Sequence, residues 1–125
     1  MSFEFDLVPR APKDAFDQHD LAEMRAWWDR FPTAAAPDGS LLVFPSEEVR
    51  DVRLERLRRA PDKNDYLTPH VNLDPKDVQL SVVGDEVTDR WFYDFATWCQ
   101  ERFECELEYF GEPVPADDIL AASDN

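Results

Sequence analysis

The chain has little glycine, little cysteine, little histidine and few cations. Its three glycines, Gly39, Gly84 and Gly111, are scattered singly. A phosphate-cradling loop needs several together at a strand-to-helix turn, so nucleotide-binding loops are excluded. The two cysteines, Cys99 and Cys105, are too few for a disulfide framework or a cysteine-based zinc site. Each falls on the inward side of an expected element, so both are read as buried thiols, as suits a reducing compartment. The two histidines, His19 and His70, do not fall at a zinc-binding spacing. No apolar run approaches the ~20 residues a membrane helix needs. Met1 leads straight into a strand-like segment with no signal-peptide pattern, so a cytosolic protein is expected.

What the chain does have is negative charge and aromatic rings. Asp and Glu number 28 against 13 Lys and Arg, a formal charge of −15 over 125 residues. Such acidity with few large apolar residues would leave a chain unfolded. Four Trp, nine Phe and three Tyr supply a core instead. The length fits one domain over residues 1–113, and the acidic, Pro-containing residues 114–125 are expected as a disordered tail. A surface this negative repels nucleic acid and anionic membranes and attracts basic proteins. No cofactor is implied.

Periodicity defines the elements. Phe3, Phe5 and Leu7 alternate with Glu4 and Asp6, a half-buried strand. Leu21, Met24, Trp28 and Phe31 mark one face of a helix over about 17–31. Leu41 to Phe44 reads as a short strand. Ser46 caps a helix whose apolar side is Val49, Val52, Leu54 and Leu57, and whose remainder is arginine-rich. A polar loop is expected over 61–75, then a strand over 77–83 carrying Val78, Leu80 and Val82. Thr88 is read as the cap of the best helical pattern, with Phe92, Phe95, Ala96, Cys99 and Phe103 in one stripe. A last strand over 104–110 alternates Cys105, Leu107 and Tyr109 with Glu104, Glu106 and Glu108. The order is β-α-β-α-β-α-β. Strands with one apolar face predict an α+β two-layer sandwich, with helices on one face of a mostly antiparallel four-stranded sheet; a ferredoxin-like arrangement is one version.

The charge is uneven. Residues 64–125 hold fifteen acids and three bases, while the arginines gather on the second helix. If the first and last strands are neighbours, Glu4, Asp6, Glu104, Glu106 and Glu108 share one exposed sheet face. Like charges opposed across strands cost stability, so a cationic partner would reward keeping them. The plainer reading is a solvated surface that blocks edge aggregation. Trp27 beside Trp28, and Phe110 by strand parity, are candidate exposed aromatics that would anchor a partner. Asp17, His19 and Asp20, and His70, Asn72 and Asp74, are close in sequence, but neither set has a recognised metal spacing.

Three features carry a resemblance. The chain opens on the alternating strand Ser2-Phe3-Glu4-Phe5-Asp6-Leu7, has a late aromatic helix from Trp91 to Phe103, and ends on a strand with Cys105 and Tyr109 that runs into a Pro-containing acidic segment. This layout, from residue 2 to about 113, resembles small acidic bacterial proteins of the kind similar to immunity proteins of secreted antibacterial toxins. Where that pattern has an aromatic followed by Asp-Pro-Gln, this chain has Tyr109-Phe110-Gly111-Glu112-Pro113. The resemblance implies a non-enzymatic, stoichiometric inhibitor of a basic toxin or effector. Two other readings stay open: an acidic DNA mimic that inhibits a nuclease or restriction system, and a small hydrolase or metal-dependent enzyme.

Overall fold

A computed structural model describes residues 2–60 and 68–124. Among the described residues, seven strands and four α-helices follow in the order β1 (Phe3–Pro9), α1 (Gln18–Trp27), β2 (Thr33–Ala35), β3 (Leu41–Val43), α2 (Glu47–Arg59), β4 (His70–Asp74), β5 (Asp77–Val82), α3 (Glu86–Arg102), β6 (Cys105–Tyr109), β7 (Glu112–Pro113) and α4 (Asp117–Ala121). The strands form one sheet in the order β2-β3-β4-β5-β1-β6-β7, and every pairing is antiparallel.

The two-layer α+β class fits, but the four-stranded sheet, and with it the ferredoxin-like version, is overturned. The three unforeseen strands are short and lack strong alternation. Thr33-Ala34-Ala35 lies in a Pro-flanked stretch that looked like a loop, yet pairs with β3. His70 to Asp74 lies in the expected 61–75 loop, of which residues 61–67 are outside the described residues. Its Val71 and Leu73 do alternate, and β3 and β5 supply the ladder on either side. Glu112-Pro113 is a two-residue return strand on β6. Ladder hydrogen bonds, not local propensity, make these residues strands.

The core lies between the sheet and one helical layer. Phe5 and Leu7 from β1, Val78, Leu80 and Val82 from β5, and Cys105 and Leu107 from β6 are buried on one face. Against them pack Met24 of α1, Trp28 in the 3-10 turn that follows it, and Phe92, Phe95, Ala96 and Cys99 of α3. The two cysteines are free, buried thiols, with the Cys105 Sγ 3.5 Å from the Cys99 carbonyl. The disordered tail expected after residue 113 is also corrected. Residues 117–121 form α4, and Ile119 and Ala122 are buried in the main core. Two apolar residues at helical spacing hold this segment down. By contrast, α2 contributes no residue to the main core, and its Val52 is 48% exposed. No helix among the described residues is long and apolar enough to cross a membrane.

Candidate functional site

Strand parity turns the charged residues of β1 and β6 away from the helices. The two strands lie side by side, with Asp6 directly opposite Glu108 and Val8 opposite Glu106. On its other edge β1 pairs with β5, and β5 with β4, so three cross-strand rows build the open face. One row is His70, Ser81 and Glu4. The next is Asn72, Gln79, Asp6 and Glu108. In the third, Asp74 faces Asp77, and Val8 faces Glu106. Of the sequence-predicted site residues, Glu4, Asp6, Glu106 and Glu108 thus come together. Glu104 lies just before β6, exposed, and its carbonyl accepts the Arg10 amide at 2.9 Å.

Trp27 and Phe110 do not join them. Trp27 sits on the helical side, with ring centroids 5.1 Å from Phe95 and 6.2 Å from Trp98, and the Arg30 guanidinium 4.6 Å above it. It belongs to a half-buried aromatic cluster in the other layer. Phe110 is not a strand residue, so the parity argument does not apply to it. It occupies the first position of the two-residue β6–β7 turn at φ 50°, followed by Gly111 at φ 78°, and is 84% exposed.

Hydrogen bonding fixes one end of the face. The Ser81 hydroxyl, 1% exposed, donates to Glu4 Oε2 and lies 3.1 Å from His70 Nε2. His70 Nδ1 meets the Thr68 carbonyl at 3.0 Å. A serine nucleophile needs an accessible oxygen and a histidine oriented by an acid. Here the oxygen is covered and committed to Glu4, and the histidine is oriented by a backbone carbonyl. The trio is a bridge that holds Glu4 in place.

Electrostatic strain concentrates at the other end, beside the β4–β5 turn. Asp77 Oδ1 is buried and has no hydrogen-bond partner among the described residues. Burial first, then a hydrogen bond with Asp6 and the charges of Asp6, Asp74 and Glu108, push the Asp77 carboxyl up to about 7. Sequence reasoning passed over Asp77. Its signal was the parity of β5, where Asp77, Gln79 and Ser81 alternate with Val78, Leu80 and Val82.

Cations near the face are few. Arg10 approaches Glu106 at 3.9 Å, with both side chains about half exposed. The arginines of α2 turn partly to their own helix: Arg58 and Arg59 meet Glu55 at 2.5 and 3.0 Å, and Arg50 meets Asp51 at 3.2 Å. Opposite the sheet, Asp17, His19 and Asp20 do gather closely enough to share a cation. Local structure already accounts for them. Asp17 and Asp20 form the reciprocal capping box of α1, and Lys13 pairs with Asp20 at 2.5 Å. His19 is exposed and lies 3.4 Å from Glu23.

A second perturbed carboxyl lies away from the face. Asp89, in the first turn of α3, is fully buried, and neither of its oxygens has a hydrogen-bond partner among the described residues. Burial, then the neighbouring Asp85 charge, raise it to about 7, and the amides of Gly84 and Asp85 offset this only in part.

No family model, curated protein or solved structure matches this chain.

Proposed function

We propose that this protein is a non-enzymatic binding module, a stoichiometric inhibitor of the immunity type, which neutralises a basic toxin or effector through the open face of its sheet. The observation that carries the reading is the direct opposition of Asp6 and Glu108, flanked by Glu4, Glu106, Asp74 and Asp77. Each opposed pair of like charges costs stability by a few tenths of a kcal/mol or more. A cationic surface set on the face removes that cost. The fixed position of Glu4, bridged by Ser81, pre-organises part of the recognition surface. A −15 molecule would also steer a basic partner in at rates up to ~10⁸–10⁹ per molar per second at low salt. Phe110, at one end of β6, supplies an apolar contact at the rim.

The test compares the wild type with a variant carrying Glu4→Gln, Asp6→Asn, Glu106→Gln and Glu108→Gln. Both serve as bait for proteins of the native host, at low and at high salt. A basic protein held by the wild type at low salt, and lost with the variant and at high salt, supports the reading. Undiminished capture by the variant moves the docking surface elsewhere.

A further inference from the structure

Among the described residues the sheet ends on two edges, and they are not alike. At one edge lies β7, two residues long, where Pro113 has no amide hydrogen to offer and Glu112 is charged. At the other lies β2, Thr33-Ala34-Ala35, uncharged along its length. The bonds around β2 fix which way its backbone points. The Phe44 amide donates to the Pro32 carbonyl, and the Ala36 amide to the Ser40 carbonyl, both at 2.9 Å. Bonded and unbonded pairs alternate along an antiparallel ladder. Between those two bonds, then, Ala34 bonds Leu42, while Thr33 and Ala35 face Val43 and Leu41 without bonding them. The Val43 amide obeys the same alternation: it points away from β2 and meets the Pro69 carbonyl at 2.8 Å. Thr33 and Ala35 therefore turn N–H and C=O outward, and among the described residues nothing pairs with them there. A row of unpaired backbone groups at a sheet edge is a template for another strand.

We infer that this edge takes a second copy of the same chain, β2 against β2, antiparallel about a two-fold axis at Ala34. The inference is independent of the docking reading above. The edge is complementary to itself. With Ala34 opposite the partner's Ala34, Thr33 of each copy meets Ala35 of the other, and the outward groups of both fall into bonded pairs. Ala34 then lies in a non-bonded pair, where side chains come closest, and presents only a methyl group. Charge favours the same direction. The nearest charged residue before β2 is Arg30 and the nearest after it is Asp38, so antiparallel pairing sets opposite signs against each other. The Asp38 carboxylate stays ionised, held by the Ser40 amide and hydroxyl at 2.9 and 2.7 Å. The formal charge of −15 lies mostly elsewhere. β1 stands four strand spacings from β2, so two joined copies hold their β1 strands nine spacings apart, four in each copy and one between them. That is about 43 Å, about four screening lengths at 0.1 M salt. Pairing uses up the β2 edge of each copy and leaves β7 at both ends, so assembly stops at two. Both acidic faces stay open, on one side of a continuous sheet.

The experiment uses the full chain alone. Sedimentation equilibrium from micromolar to millimolar concentration should show a reversible step from one chain to two, strengthened by added sodium chloride, which screens the remaining repulsion. Amide exchange followed by NMR supplies the residue-level signal. In dilute protein the Thr33 and Ala35 amides exchange fast and the Ala34 amide slowly; in the dimer all three are slow. Ala35→Pro removes an outward N–H and no bond to β3, so the ladder survives while dimerisation weakens about tenfold or more. Ala34→Cys, on oxidation, should link two copies, because facing Cα atoms of a non-bonded pair lie about 4.5 Å apart, within disulfide reach. Glu112→Cys, on the other edge, should not, and Cys99 and Cys105 are buried. A chain that stays single at every concentration and salt level, with no Ala34→Cys link, overturns the inference. So does a dimer that forms equally well with Ala35→Pro, since it uses another surface. Thr33 and Ala35 amides protected only when a different host protein is bound assign the edge to that protein and overturn the second copy as its occupant.

Discussion

Asp89 is where an apolar stripe contains a carboxyl group. The spacing of Phe92, Phe95, Ala96 and Cys99 continues backward to Thr88 and Asp89, and both are fully buried. The helix therefore starts earlier than its pattern suggested: Asp85 is the cap, accepting from the Thr88 hydroxyl at 3.1 Å, and α3 begins at Glu86. Thr88, expected as the cap, is an interior residue bonded to it. Asp89 keeps its proton up to about 7 in the folded protein, against ~3.9 in an unfolded chain. Between those values the unfolded state binds fewer protons, so this residue's contribution falls as pH rises, by up to ~1.4 kcal/mol per pH unit. Asp77 acts in the same direction. Urea unfolding should therefore show the wild type more stable at pH 5.5 than at pH 8. Asp89→Asn should raise stability at pH 8 and flatten this slope. An unchanged slope would mean that Asp89 is ionised within the core.

At the scale of the element, the β6–β7 hairpin sets local stability against exposure. A two-residue turn with positive φ at both positions favours Asn-Gly or Asp-Gly, because most side chains clash there. This chain has Phe110-Gly111, at 50° and 78°. An aromatic residue at that φ is an outlier, and this one is also exposed, with Tyr109 stacked edge-on at 4.5 Å. Phe110→Asn should stabilise the protein by about 1 kcal/mol, measured by thermal unfolding. Phe110→Ala, which keeps the unfavourable φ, should give no such gain. If the binding reading holds, Phe110→Asn weakens partner binding while it strengthens the fold, a combination that a purely structural role does not give. The helices differ in the same way. α3 buries six residues, whereas α2 buries none and is held at its start by the Ser46 cap, which accepts the Val49 amide at 3.1 Å. The short α4 has no side-chain cap and is held through Ile119.

Over the whole molecule, charge and hydrophobic burial are separated by the sheet. One face carries Phe5, Leu7, Leu80 and Leu107 against the helices, and the other carries Glu4, Asp6, Glu106 and Glu108. A net charge of −15 on one small domain repels itself, and at 0.1 M salt the screening length is about 10 Å, roughly twice the distance between neighbouring strands. Added sodium chloride should therefore raise the melting temperature, while it weakens association with any basic protein. Salt that lowered the melting temperature would show that the ion pairs Arg102–Glu23 and Lys13–Asp20 outweigh the repulsion.

The sequence alone determined the alternation of β1, β5 and β6, the apolar stripe of α3 and the inward position of both cysteines. Each is a periodic pattern several residues long, written by burial on one side only. It also determined that the acids of β1 and β6 share a parity. Only the tertiary structure decided that β1 lies between β5 and β6, which sets Asp6 against Glu108 and near Asp77. It also decided that Thr33–Ala35, His70–Asp74 and Glu112–Pro113 are strands and that residues 117–121 are a helix. These segments are two to five residues long. Their backbone groups and few apolar side chains gain partners only once a neighbouring strand or the core is in place, β2 from β3, β4 from β3 and β5, β7 from β6 and α4 from the core, and segments this short carry too little periodicity to record it.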